Sequence, residues 1–123
     1  MGDLSKNFSR YEFASGDGDP RYQTVDSELV DTLQALRDHV RRKVNITSGH
    51  RSPKHNKAVG GAAKSMHLLG IAADFWVAGY KPETLAKWLR QNVMRDFGCI
   101  IIYDNFVHID MRRNKLDLDK REK

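Results

Sequence analysis

The chain holds a single cysteine, so no internal disulfide can form. Because Cys99 lies in the apolar run Cys99-Ile100-Ile101-Ile102, its thiol reads as a buried structural group with nothing nearby to activate it as a nucleophile. Long apolar runs are missing too. No stretch approaches a membrane span, and residues 1–8 (MGDLSKNF) lack the apolar core of a secretory leader. The expectation is therefore a soluble protein made in the cytoplasm without a signal peptide. No repeat, low-complexity segment or linker divides the 123 residues, and a hydrophobic content of 40% suffices for one modest core. A single domain follows.

What is present begins with charge. A net charge of +5 favours an anionic partner such as nucleic acid, an acidic polymer or a cell-wall surface. The basic clusters Arg41-Arg42-Lys43 and Arg112-Arg113-Asn114-Lys115 carry none of the interleaved aromatics on which single-strand binders stack bases. They read as a solvated face, and no nucleic-acid partner is expected.

Apolar residues recur from Val25 at Leu29, Val30, Leu33, Leu36 and Val40, the spacing of an amphipathic helix, with Thr24 as its cap and Asp26 and Glu28 in the first turn. His39 falls near the end of that helix as a surface residue. Val44 to Thr47 reads as a short strand leading into Ser48-Gly49-His50-Arg51-Ser52-Pro53-Lys54-His55-Asn56, a loop or brief helical turn. The small residues Val59-Gly60-Gly61-Ala62-Ala63 let the backbone pass close to other groups, as the floor of a site requires. Ile71 to Val77 reads as a buried strand, and Pro82 opens a helix with the stripe Leu85, Trp88, Leu89 and Val93. Cys99 to Tyr103 and Phe106 to Asp110 form a hairpin around Asp104-Asn105, whose members tolerate positive φ. Residues 112–123, dense in charge, are expected to be exposed and partly disordered.

The chemistry concentrates in Ser65-Met66-His67-Leu68-Leu69-Gly70-Ile71-Ala72-Ala73-Asp74 and Val107-His108-Ile109-Asp110. Together these supply two imidazoles and a carboxylate, a ligand set that zinc accepts while keeping a fourth position open. A charge such as Asp74 inside an apolar strand costs several kcal/mol unless it is paired or bound to a cation. Alternation along the last strand puts Phe106, His108 and Asp110 on one face and Val107 and Ile109 on the other. An ordinary salt bridge from Asp110 to Arg112 or Arg51 is the competing reading of that carboxylate.

The pattern Ser65-x-His67-x-x-Gly70-x-Ala72-x-Asp74, preceded by Ser48-Gly49-His50-Arg51-Ser52 and followed by Val107-His108-Ile109-Asp110, closely resembles the M15 metallopeptidases. These are the zinc D-Ala-D-Ala carboxypeptidases and the phage endolysins that cut L-Ala-D-Glu bonds. The resemblance runs from about Asn7 to about Arg112, giving a peptidase domain over 1–112 and a charged tail over 113–123. It implies an α+β fold of the hedgehog/D-Ala-D-Ala-peptidase type, a single domain whose antiparallel sheet bears a zinc cleft with helices packed on the other side. It further implies one Zn2+ held by His67, Asp74 and His108, with Arg51 holding a substrate carboxylate or carbonyl, a task suited to its planar donors. His50 stands where the family often has an aromatic residue, and it or His55 is expected to line the cleft and touch substrate.

One departure concerns the base. Relatives often carry an acid three residues before the last zinc histidine, or a second histidine two before it, where this chain has Asn105 and Phe106. The remaining carboxylates are Asp104, about 13 Å along the strand from His108, and Asp110, on the same face as His108. Asp110 is the expected general base or orienter of the attacking water. The implied function is zinc-dependent hydrolysis of an amide in the peptide part of bacterial peptidoglycan. The protein would act on the stem peptide as a monomer at the cell wall, after phage-mediated release if it is an endolysin. The alternatives are a non-catalytic zinc-containing wall-binding module on the same fold, supported by Asn105, and a basic nucleic-acid binder with a structural metal.

Overall fold

The repeating apolar positions of the first helix fold as expected into α1 (Ser27–Val40), which buries Leu29, Val30, Leu33, Leu36 and Val40. The structure, a computed structural model, describes residues 2–62 and 65–122, so Ala63 of the small-residue run lies outside the described residues. The cap of α1 is Asp26 rather than Thr24. Its carboxylate accepts the Leu29 N–H at 3.1 Å, taking one of the donors a helix start leaves unpaired and placing negative charge at the positive end of the helix dipole. A short helix, α2 (Pro53–Ala58), and a longer one, α3 (Pro82–Asn92), both begin with proline in the first turn, where its missing N–H costs nothing.

Five strands form one sheet: β1 (Val44–Ser48), β2 (Ala72–Val77), β3 (Cys99–Ile102), β4 (Val107–Asp110) and β5 (Leu116–Asp119), in the order β1-β2-β4-β3-β5. Side chains alternate across it. Ala73, Phe75 and Val77 of β2, with Val107 and Ile109 of β4, join Leu33 and Leu36 of α1 and Leu85 and Leu89 of α3 in a single core. Each large apolar side chain buried there contributes about 1.5–3 kcal/mol. The opposite face of the sheet is left for Asp74, His108 and Asp110.

The sheet is mixed, which corrects the antiparallel expectation. The change comes from the tail, which is not partly disordered over its described length. Leu116-Asp117-Leu118-Asp119 alternates with period two and pairs in parallel with β3, with Cys99 opposite Leu116 and Ile102 opposite Asp119. Arg90 of α3 fastens this edge. Its guanidinium donates to the carbonyls of Met94, Phe97, Gly98 and Leu116 and to the Asp117 carboxylate. The β3–β4 hairpin has the expected antiparallel register, Cys99 opposite Asp110 and Ile102 opposite Val107. Its turn uses no positive φ at Asp104 or Asn105, since Arg41 is the only non-glycine with one among the described residues. No helix among the described residues is long and apolar enough to cross a membrane.

Candidate metal centre

Three separate segments bring His67, Asp74 and His108 together. His67 rides on a 3-10 turn, Met66–Leu69, whose first backbone groups are held by Ser65, with its Oγ accepting the His67 N–H at 3.2 Å. Gly70, at φ 73°, then reverses the chain into β2, and a Cβ on it would stand 2.7 Å from the Thr24 carbonyl oxygen. Asp74 lies directly opposite His108 in the antiparallel β2–β4 pair, so both side chains leave the same face of the sheet.

The inner atoms of the three side chains lie within 4.8 Å of one another, and all three residues are buried. His67 Nε2 is 3.2 Å and His108 Nδ1 is 2.8 Å from the same Asp74 oxygen, Oδ1. A tetrahedral zinc with bonds of about 2.0–2.1 Å sets its ligands about 3.3 Å apart, so these separations fit such an ion after shifts of a few tenths of an ångström. The proton positions argue the same way. His67 Nδ1 donates to the Gly49 carbonyl at 2.8 Å, and His108 Nε2 donates to Asp110 Oδ2 at 2.9 Å. Each imidazole thus has an acceptor at both ring nitrogens, Gly49 or Asp110 outside and Asp74 inside. With the proton on the outer nitrogen, the inner one is a lone pair that stands this close to the Asp74 oxygen only with a cation, a proton or a metal ion, between them.

In the chain alone, protons serve as that cation. Burial works to raise the Asp74 carboxyl, but hydrogen bonds and charge from His108 and His67 prevail and hold it at about 2. Burial likewise works to lower His108, and the hydrogen bonds and charges of Asp110 and Asp74 outweigh it, so its pKa lies above the ordinary value. A second grouping, Cys99 with His108 and Asp110, lies close enough to hold a metal. It is a poor competitor, because burial and then the Asp110 charge push the Cys99 thiol up to about 11. That agrees with the expected structural thiol.

Asp110 does not stand where a base for the cleft would need to be. It is fully buried, bonded through Oδ2 to the outer nitrogen of His108, and gripped by Arg112 Nε at 2.7 Å and Nη2 at 2.9 Å. The imidazole therefore separates it from Asp74 and the converging lone pairs. Despite its burial, the bonds from His108 and Arg112 keep its carboxyl at about 2. This placement fits a residue that holds the tautomer of His108 better than one that takes a proton in the cleft. The Arg112 salt bridge considered for it is real and serves the same end. Asp104 is exposed at the hairpin tip, where it accepts the Glu122 N–H.

Arg51 reaches the cleft as expected and is also an ion-pair partner, with Nη2 3.5 Å from Asp74 Oδ2. Its Nε donates to Ser48 Oγ at 3.0 Å and its Nη1 to Asn56 Oδ1 at 3.2 Å. Among the described residues these two hydrogen bonds and the ion pair are the side-chain partners of the guanidinium. Ser48 is available because a bulge between Ile46 and Ser48 sets it opposite Asp74 rather than on the core side with Ile46. Gly61 fulfils the close approach expected of the small-residue run, since a Cβ on it would lie 2.1 Å from Asn56 Oδ1 and 2.9 Å from Arg51 Nη1.

His50, expected to touch substrate, is not among the described residues that line the cleft. Its Nδ1 accepts the Thr24 N–H at 2.9 Å and its Nε2 donates to the Leu68 carbonyl at 3.1 Å, so it ties the strand end to the His67 turn. His55 is outside the cleft as well, close against Gly16, and exposed His39 stacks on Trp88 at 4.4 Å. The cleft has a volume of about 460 Å³, and Asp74 is the one carboxylate among its described lining residues. Tyr103 and Lys120 line it too, and neither stands in a motif. The signal that finds them is register: Tyr103 and Lys120 follow the paired Ile102 and Asp119 and so share a face.

The sequence was compared with known families and proteins. A family model described as Peptidase M15 matches residues 6–110. No match was found among curated proteins.

Proposed function

The chain belongs to the peptidase M15 family, and on that premise we propose that it is a zinc-dependent peptidase hydrolysing an amide bond in the peptide part of bacterial peptidoglycan. The observation that carries the reading is the convergence of two imidazole ring nitrogens on one buried carboxylate oxygen, with an arginine on the carboxylate's other oxygen. Zinc held by His67, Asp74 and His108 supplies a Lewis acid that polarises a carbonyl and lowers the pKa of water toward neutrality. The surrounding residues do the rest of the work. Gly49 and Asp110 fix the two ring tautomers. Arg51, held by Ser48 and Asn56, presents its guanidinium to a substrate carbonyl or carboxylate.

Both a D-Ala-D-Ala carboxypeptidase and an L-Ala-D-Glu endopeptidase of the endolysin type are compatible with this cleft. Mass analysis of fragments released from purified murein separates them, since the first frees single D-alanine and the second frees stems at their base. A second reading, a zinc-containing wall-binding module without turnover, draws on the absence of a free carboxylate beside Asp74 among the described lining residues. Zinc-loaded protein that binds murein and releases no fragment would establish that reading and overturn the peptidase proposal.

A further inference from the structure

The sheet face that carries the metal centre has a second row of side chains beside the first. The row Asp74–His108–Ile101–Leu118 crosses four strands through the pairs given by their register. One step toward the hairpin turn, Trp76, Phe106, Tyr103 and Lys120 form the next row, with Tyr103 stacked on Phe106 at 4.4 Å. The Lys120 N–H bonds to the Ile102 carbonyl at 2.8 Å, fixing this residue beside Tyr103 at the end of β5.

Lys120 differs from the other cations of the cleft. Arg51 is engaged by Asp74 and Arg112 by Asp110, whereas no ion pair to Lys120 is found among the described residues. Its ammonium is the cation of the cleft for which the described residues supply no carboxylate partner. Burial, followed by the charge of Asp74, raises the Tyr103 hydroxyl above its ordinary value, so it remains a donor at neutral pH. An ammonium and a protonated phenol from neighbouring positions of one face, both lining the cleft, present positive charge and hydrogens, which an anion satisfies together. Lys120 lies beyond the family match, which ends at residue 110, whereas Tyr103 lies within it.

We infer that Lys120 and Tyr103 form a carboxylate subsite that selects peptides bearing a free acid group about two residues from the amide held at the metal centre. The spacing follows from the sheet. Two strand steps of about 4.8 Å and two residues along the strand put the Cα atoms of His108 and Lys120 about 12 Å apart, and a lysine side chain spans roughly half of that. The remaining distance of about 6 Å corresponds to about two residues of extended peptide at about 3.3 Å each. This inference rests on the peptidase reading above and names the feature its substrate must carry.

The test uses two synthetic stem peptides, identical except that the side and α-carboxylates of one are amidated in the other. Zinc-loaded full chain is assayed for turnover, and its affinity for each peptide is measured separately by calorimetric titration. The wild type is expected to prefer the acid peptide by roughly tenfold, the worth of a charge-assisted contact. Lys120→Gln and Tyr103→Phe should each reduce that preference, with the loss falling on KM and Kd rather than kcat, and Lys120→Glu should reverse it. A preference unchanged in Lys120→Gln and Lys120→Glu, or absent from the wild type, overturns the subsite. Lys120-dependent preference in binding without any cleavage would sustain the subsite while overturning the peptidase reading. Cleavage with no Lys120 dependence would do the opposite.

Discussion

Replacing Asp110 with asparagine separates its two possible roles. The carboxylate accepts from His108 Nε2 at 2.9 Å and from Arg112 at 2.7 and 2.9 Å, so every bond it makes requires an acceptor. Asparagine has one acceptor oxygen. If that oxygen turns to Arg112, the amide hydrogens face His108 Nε2 and the ring proton moves to Nδ1, the nitrogen that points at Asp74. A protonated Nδ1 cannot bind a metal. Loss of such an outer partner costs about 10–100-fold in metal affinity, or roughly 1.4–2.8 kcal/mol. The metal-free chain should lose about 1–3 kcal/mol as well, toward the lower end because Arg112 can turn to water. Competition against a zinc-chelating dye reads the affinity, and turnover measured across zinc concentrations should recover much of its rate at saturation. Wild-type zinc affinity combined with a turnover loss of roughly 100-fold or more at saturating zinc would instead identify Asp110 as the base and refute the positioning role.

The metal-free chain should be most stable between about pH 4 and pH 6.5. Asp74 and Asp110 are held at about 2 against an ordinary 3.8, so their contribution is present above 3.8 and disappears as the pH falls toward 2. His108 lies above its ordinary 6.5, so its contribution is present below 6.5 and is lost as the pH rises through its elevated value. Thermal melts of chelated protein across that range check both limbs, and a midpoint that climbs steadily from pH 6 to pH 8.5 would contradict the assignment. Gly61→Ala should displace Asn56 from Arg51 and reduce kcat/KM by roughly tenfold to a hundredfold, the worth of a charged hydrogen bond, while zinc still binds. Equal turnover by this variant would remove Arg51 from the machinery. His50→Ala should destabilise the fold by about 1–3 kcal/mol through the unpaired Thr24 and Leu68 backbone groups. Denaturant titration reads that loss, and a variant as stable as the wild type would show those bonds to be dispensable.

The elements built on strong periodicity were legible in the sequence. Leu29 to Val40 and Leu85 to Leu89 point their stripes inward, and the alternation of Val107-His108-Ile109-Asp110 divides core from cleft as read. The grouping of His67, Asp74 and His108 could also be read, because a carboxylate in an apolar strand needs a cation or a partner. The direction each ring nitrogen faces could not. Asp110 stands two residues from His108 on the correct face, and sequence spacing does not tell the inner nitrogen of the ring from the outer one. The hydrogen bonds of His50 could not be read either, since its neighbours Thr24 and Leu68 are distant in sequence and only the fold brings their backbones to its ring. The bulge that turns Ser48 toward Arg51 has no composition signal. The tail is largely exposed as expected, but its charge count masked a period-two leucine pattern that needs only the open edge of β3 to become a strand.

The central claim is that His67, Asp74 and His108 hold one zinc ion on which peptide hydrolysis depends. Titrating zinc into chelated protein, with bound metal and murein-peptide cleavage followed in the same samples, tests it most directly. Both signals should rise together and level off at one equivalent, and Asp74→Ala should abolish both. Cleavage that survives chelation, or that persists in Asp74→Ala, would contradict the account.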